Sequence, residues 1–331
     1  MNMRASLLYI NVLAIAILAT TVSCNDETHN ENIIQTITAS IEQPATRTAL
    51  DGPDADGVYK TVWSPDDAIA VFSDDGAACE FKLTSGANTN KAEFKGSTSY
   101  SDAMIAVYPY SIVKERSGST VIVDIPEIQK YEKGNIPQGA YPMASRSEYA
   151  QFNFKNLGSI LKFRMFGDVT VNYITFIPND SNAKVSGKAS VDVNSRELVM
   201  SDDANSSVRL NCSDGVKLTS EPTDFLMVVP AQKYTGGFTI TISTNEGTIV
   251  KTIKSDMILN RSTLYPSEVF ECNVGESKEN IVFEDANFKT YMVANFDTDN
   301  DGEISYEEAL NVTKIEVNTD NITSLAGIEY M

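Results

Sequence analysis

Histidine is nearly absent from this chain of 331 residues: the single one, His29, sits in a polar stretch near the N-terminus. The commonest general base is therefore missing from any folded domain, which excludes Ser-His-Asp and Cys-His chemistry. Cysteine is scarce as well. Cys24, Cys79, Cys212 and Cys272 show no CxxC spacing, which argues against both a disulfide framework and a zinc site. Basic residues are outnumbered, 26 against 45 acidic, giving a net charge of −19. Such a balance makes nucleic acid and anionic lipid surfaces poor partners and favours solubility and cation binding. Long apolar runs are missing too. Leu7 to Ala19 is broken by Tyr9 and Asn11 and falls short of the roughly 20 residues a helix needs to cross hydrocarbon.

What is present in full is one ligand loop. Asp297-Thr298-Asp299-Asn300-Asp301-Gly302-Glu303-Ile304-Ser305-Tyr306-Glu307-Glu308 fills every position of an EF-hand calcium loop. Calcium is a hard cation that takes six to eight oxygens, so carboxylates must recur at alternate residues as the chain curls around it. Asp297, Asp299 and Asp301 meet that need, Gly302 permits the sharp turn, Glu303 offers its backbone carbonyl, Ser305 its hydroxyl or a bridging water, and Glu308 two oxygens. Ile304 is the apolar anchor between them. Upstream, Asp285 is placed to cap a helix whose apolar residues Phe288, Tyr291, Met292, Val293 and Phe296 recur at helical spacing. The outgoing helix, from Tyr306 to Asn311, is under two turns, and Val312 to Val317 then alternates like a strand. No second loop of this kind exists. Asp51 to Gly57 is a decoy that lacks the distal Glu and carries Pro53 where a ligand belongs, so it reads as a surface turn.

The N-terminus points to a compartment. Arg4, the apolar stretch and Thr21-Val22-Ser23-Cys24 resemble a bacterial lipoprotein signal, with Thr21 where the family usually has leucine. The resemblance implies cleavage before Cys24 and a lipid on that cysteine; an ordinary signal peptide with an incidental cysteine is the alternative. Asp26 and Glu27 resemble the export tag of surface lipoproteins in Bacteroidota.

From Ile33 to about Cys272 the chain reads as strands and turns. Phe152-Asn153-Phe154, Phe163-Arg164-Met165 and Phe238 to Ile242 alternate with period two, and Asp74-Asp75-Gly76, Gly236-Gly237 and Asn245-Glu246-Gly247 interrupt them as turns. About 240 residues of this kind suit two small antiparallel sandwiches, dividing near residue 150. Thr46-Arg47-Thr48, Trp63 to Phe72 and Ala106 to Ser111 look like the first domain of the fimbrillin-like proteins of Bacteroidota. Phe152 to Ser159, Val228-Val229-Pro230-Ala231 and Leu264-Tyr265 resemble landmarks of that family's second domain. The resemblance implies a pair of transthyretin-like β-sandwiches; with the loop and the C-terminal residues, the expected fold is mostly β, two tandem transthyretin-like antiparallel β-sandwiches followed by a small helical EF-hand segment and one incomplete leucine-rich repeat. Trp63, the only tryptophan, is read as a core anchor beside Ile69 and Val71 rather than a stacking platform for a ligand. In fimbriae of the family a protease cuts after an arginine near the start of the first domain, and Arg47 is the position that corresponds.

After the loop, Ile315 to Ile328 resembles the first leucine-rich repeat of internalin-like surface proteins. One repeat cannot bury its own apolar face, so a truncation, a partial gene product or a short docking tail is the expectation, truncation foremost. The expected organisation is a lipoprotein signal over 1–23, a tether over 24–32, sandwiches over 33–150 and 151–273, the EF-hand over 282–311 and the incomplete repeat over 312–331. The expected function is that of a calcium-binding, lipid-anchored protein of the bacterial outer membrane, exposed at the surface. Its role would be adhesion or recognition of an unknown protein or glycan, without catalysis. A fimbrial tip or anchor subunit assembling by strand exchange is the alternative, and glycan binding or processing a minor one. Adjacent carboxylates such as Asp66-Asp67 argue poorly for acid/base work, because neighbouring strand residues face opposite ways.

Overall fold

A computed structural model describes the protein over residues 33–43, 45–46, 61–73, 76–99, 104–273, 280–298, 300–317 and 321–331. Cys24, His29, Arg47, Asp299 and the decoy turn Asp51 to Gly57 lie outside the described residues. The fold is mostly β, and the two α-helices among the described residues, Ala286–Phe296 and Tyr306–Ala309, both fall in the C-terminal segment.

Seven strands close on themselves in the order Ile33–Ile41, Gln151–Asn156, Met143–Ser147, Met104–Tyr108, Ala68–Ser73, Cys79–Ser85 and Lys91–Thr98. The mostly β fold is the one the sequence implied, and at this end the strands close into a barrel. Closure arises because the first strand pairs on both sides, antiparallel to Lys91–Thr98 and parallel to Gln151–Asn156. Period-two alternation points Ile37, Ala39 and Ile41 inward onto a cluster with Ile69, Val71, Phe81, Phe94 and Phe154. Trp63 lies at the centre of this cluster, fully buried, with Phe94, Tyr108 and Phe154 edge-on to it at 4.9, 5.5 and 5.5 Å. It is a core anchor, as its neighbours in sequence implied.

The strands Ala68–Ser73 and Met104–Tyr108 are buried on both faces, which explains their unbroken apolar sequences. Their outer residues Ala70, Phe72, Ile105 and Val107 pack with Val121, Val123, Ala189 and Val191 of a second sheet. That sheet has the order Glu197–Met200, Gly187–Asp192, Thr120–Ile125, Val113–Ser117. Pairing therefore crosses residue 150 in both directions: Gln151–Asn156 completes the barrel, and Ile128–Lys130 pairs with Val208–Lys217 beyond it.

A third and a fourth sheet enclose another core. One has the order Thr223–Pro230, Gly158–Gly167, Thr263–Cys272 and the short strand Ala45–Thr46. The other runs Thr248–Ile253, Phe238–Thr244, Thr170–Pro178, Val208–Lys217, Ile128–Lys130. Leu161, Phe163 and Met165 point into this core with Ile174, Phe176, Leu210, Phe225 and Ile240. On the opposite face of the strand, Lys162 is fully buried, its Nζ 2.9 Å from Asp224 Oδ2, while Arg164 Nε holds Asp224 Oδ1 at 3.1 Å. Cys79, Cys212 and Cys272 are free thiols.

The C-terminal segment packs around Phe288, Met292, Ile304 and Tyr306, and Val250 of the strand Thr248–Ile253 belongs to the same cluster. The strand anticipated over Val312 to Val317 does not form. Among the described residues no strand pairs with it, and Val312, Ile315 and Val317 instead pack as a loop on the helical cluster.

Candidate calcium site

The incoming helix is built as its sequence implied. Asp285 caps it, its Oδ1 accepting from Asn287 N at 2.8 Å and Phe288 N at 3.0 Å, and Phe288 and Met292 form its buried face. The other oxygen, Oδ2, accepts from Thr323 N at 2.7 Å and Thr323 Oγ1 at 2.8 Å, so one carboxylate ties the C-terminal residues to the helix start. These bonds, the Thr323 backbone foremost, hold the Asp285 carboxyl well below the ordinary range.

The loop begins where the helix ends. Asp297 Oδ1 accepts from Asn300 N at 2.6 Å and its Oδ2 from Gly302 N at 2.9 Å, curling the chain back over its first residue. Asp301 Oδ1 accepts from Glu303 N at 2.8 Å. Gly302 has φ +81°, and a Cβ added there would meet nothing within 4 Å, so glycine is required by backbone conformation rather than by space. Glu303 turns its carboxylate away to Lys289, Oε1 to Nζ 2.5 Å, which suits a position that contributes its backbone carbonyl. Ile304 is fully buried.

Glu308 closes the loop. Ser305 and Glu308 form a reciprocal capping box at the start of the outgoing helix, with Glu308 Oε2 accepting from Ser305 N and Ser305 Oγ, both at 2.9 Å. Its Oε1 reaches across to accept from Thr298 N at 2.6 Å and Thr298 Oγ1 at 2.8 Å. Burial pushes this carboxyl upward, but the hydrogen bonds from Ser305 and Thr298 outweigh it and hold its pKa at about 2. It is thus an anion across the physiological range.

Among the described residues no group of three His, Cys, Asp or Glu side chains converges as a metal cluster; Asp299, the central carboxylate of the motif, lies outside them. The donor set itself is all oxygen, from Asp297, Asp301, the Glu303 carbonyl, Ser305 and Glu308. That chemistry fits a hard divalent cation and disfavours soft metals that select thiolate. Two features escaped sequence reasoning. The Asp285 tie to Thr323 and a backbone bond from Ile281 N to Ile304 O, 2.7 Å, join segments far apart in the chain, and no local pattern marks either. Elsewhere, Asp66 and Asp67 fall in the turn just before the strand Ala68–Ser73 rather than in a strand: Asp66 is exposed, whereas Asp67 is buried, accepting from Tyr108 Oη at 2.8 Å and Ser64 N at 2.7 Å.

No protein-family model and no curated protein matches the chain. Among solved structures it is similar to a protein provisionally described as a cell adhesion protein from Bacteroides ovatus ATCC 8483, at 12% identity and TM-score 0.46, covering 71% of this chain and 91% of that one. It is also similar to a fimbrial protein from the same strain, at 11% identity and TM-score 0.33, covering 76% and 53%. A third is the tip fimbrial protein Mfa3 from Porphyromonas gingivalis, at 14% identity and TM-score 0.28, covering 68% and 81%.

Proposed function

We propose that this chain is a calcium-binding, lipid-anchored bacterial surface protein of the fimbrillin-like kind, serving adhesion or recognition. The observation that carries the calcium reading is the loop from Asp297 to Glu308, in which Asp297 already draws the Asn300 and Gly302 amides inward and Glu308 closes the far end. Asp297, Asp299, Asp301, Ser305, Glu308 and the Glu303 carbonyl would hold the ion. When bound, calcium supplies a fixed positive centre that stabilises the folded loop over the unfolded one by mass action. An affinity in the extracellular range of roughly 10⁻⁴ to 10⁻³ M suits such a role.

Calorimetric titration with calcium tests this reading. The wild type is expected to give heat for one ion per chain and the Asp297→Ala/Glu308→Ala double variant none; equal heats in both would sink it. The surface placement rests on the Cys24 signal and the fimbrillin-like landmarks of the β region. Its check is cell fractionation, in which Cys24→Ala is expected to leave the membrane fraction and wild-type retention would contradict the lipid anchor.

A further inference from the structure

One short segment upstream of the helices meets the loop directly. Asn280 and Ser305 form an isolated antiparallel bridge, and the Ile281 amide donates to the Ile304 carbonyl at 2.7 Å. Two residues of pairing are too few to persist in water without packing. Here the packing is supplied from three directions. Ile281 is 2% exposed, in a cluster with Phe288, Met292, Ile304 and Tyr306 and with Val250 from the strand Thr248–Ile253. Gly327 closes over the other side at φ +105°, so near that a Cβ would come within 2.8 Å of Phe283 and 3.2 Å of Ile281. The bridge grips the metal loop at a decisive place. Ile304 and Ser305 are where the half bearing Asp297 and Asp301 passes into the helix bearing Glu308, and Ser305 is the cap of that helix.

Resting on the calcium reading above, we infer that Asn280–Ile281 is an in-cis brace for the metal loop. It fixes the peptide between Ile304 and Ser305, and so sets where the Ser305 and Glu308 oxygens stand relative to Asp297. With this brace a single loop binds one calcium ion per chain, without a second loop and without a second copy of the protein. Ile281 is a positioning residue. Its side chain and amide act on the loop backbone, not on the ion.

The test uses the full chain, calcium chloride as the probe, calorimetry for affinity and sedimentation for mass. Wild type is expected to bind one ion with unit Hill slope and to remain monomeric with and without calcium. Ile281→Pro removes the donating N–H and is expected to weaken calcium binding by about tenfold or more, the effect typical of losing a group that orients a metal ligand. Ile281→Val keeps both donor and apolar bulk and is expected to stay within about twofold of wild type. Should Ile281→Pro fail to fold, hydrogen exchange on wild type reads the same contact: the Ile281 amide should gain protection on calcium addition, and unchanged protection overturns the brace. Calcium heat with unchanged affinity in a folded Ile281→Pro, or binding that requires a dimer, overturns the brace and leaves the calcium reading standing. Absence of calcium heat in wild type removes both.

Discussion

Two buried carboxylates illustrate how environment, not residue type, sets an acid's behaviour. Burial pushes the Asp67 carboxyl up; the hydrogen bonds from Ser64, Tyr108 and Gln138 counter this only in part. Its contribution to stability is therefore complete below the unfolded value of about 3.9 and is lost as pH rises through the higher folded pKa. Asp285 has the opposite sign. With its pKa depressed by Thr323, Phe288 and Asn287, its contribution is present above about 3.9 and is lost as pH falls through the lower folded value. Asp67→Asn removes the first titration, so the stability of wild type relative to this variant is expected to fall as pH rises above about 4. Urea unfolding at pH 4 to 7 measures it, and a difference that stays flat would contradict the assignment.

At the scale of elements, the strand Gly158–Gly167 carries an ion pair that should be costly to break. Asp224→Ala takes away the carboxylate 2.9 Å from Lys162, leaving a fully buried ammonium without it, at a cost of about 3 to 5 kcal/mol. Lys162→Met is expected to cost less, because the buried charge leaves with the side chain; chemical denaturation of both variants would show the order. Elements differ in how far the sequence disclosed them. The helix Ala286–Phe296, its Asp285 cap and the glycine at 302 were legible because cap, period and turn are local signals. The alternating segment Val312 to Val317 misled for the converse reason, since alternation declares a face to bury but not a neighbour to pair with. The Ile281 brace was invisible, because a bridge between distant segments leaves no pattern in either. Ile304 could be read as buried, but what buries it could not.

On the scale of the whole molecule, the two β halves are not laid end to end. The barrel needs Gln151–Asn156, and the sheet outside it needs Gly187–Asp192 and Glu197–Met200. A fragment covering 33–150 would expose Ala70, Phe72, Ile105 and Val107 to water through loss of part of their cover. Such a fragment is expected to be unfolded or aggregated by circular dichroism and sedimentation, whereas one covering 33–273 should fold; a cooperative thermal transition in 33–150 would refute this. Period-two alternation showed which residues face inward, but closure into a barrel depends on which strands meet, and that is decided by pairings distant in sequence.

The parallel pairing of Ile33–Ile41 with Gln151–Asn156 also sets an order of events. One edge of the first strand pairs with Lys91–Thr98, but its other edge waits for a partner more than a hundred residues later, and such non-local closure is intrinsically slow. A chain emerging from its N-terminus cannot complete the barrel early. Until the chain has been made past Asn156, roughly midway through the β region, one edge of its first strand stays unpaired and the barrel stays open.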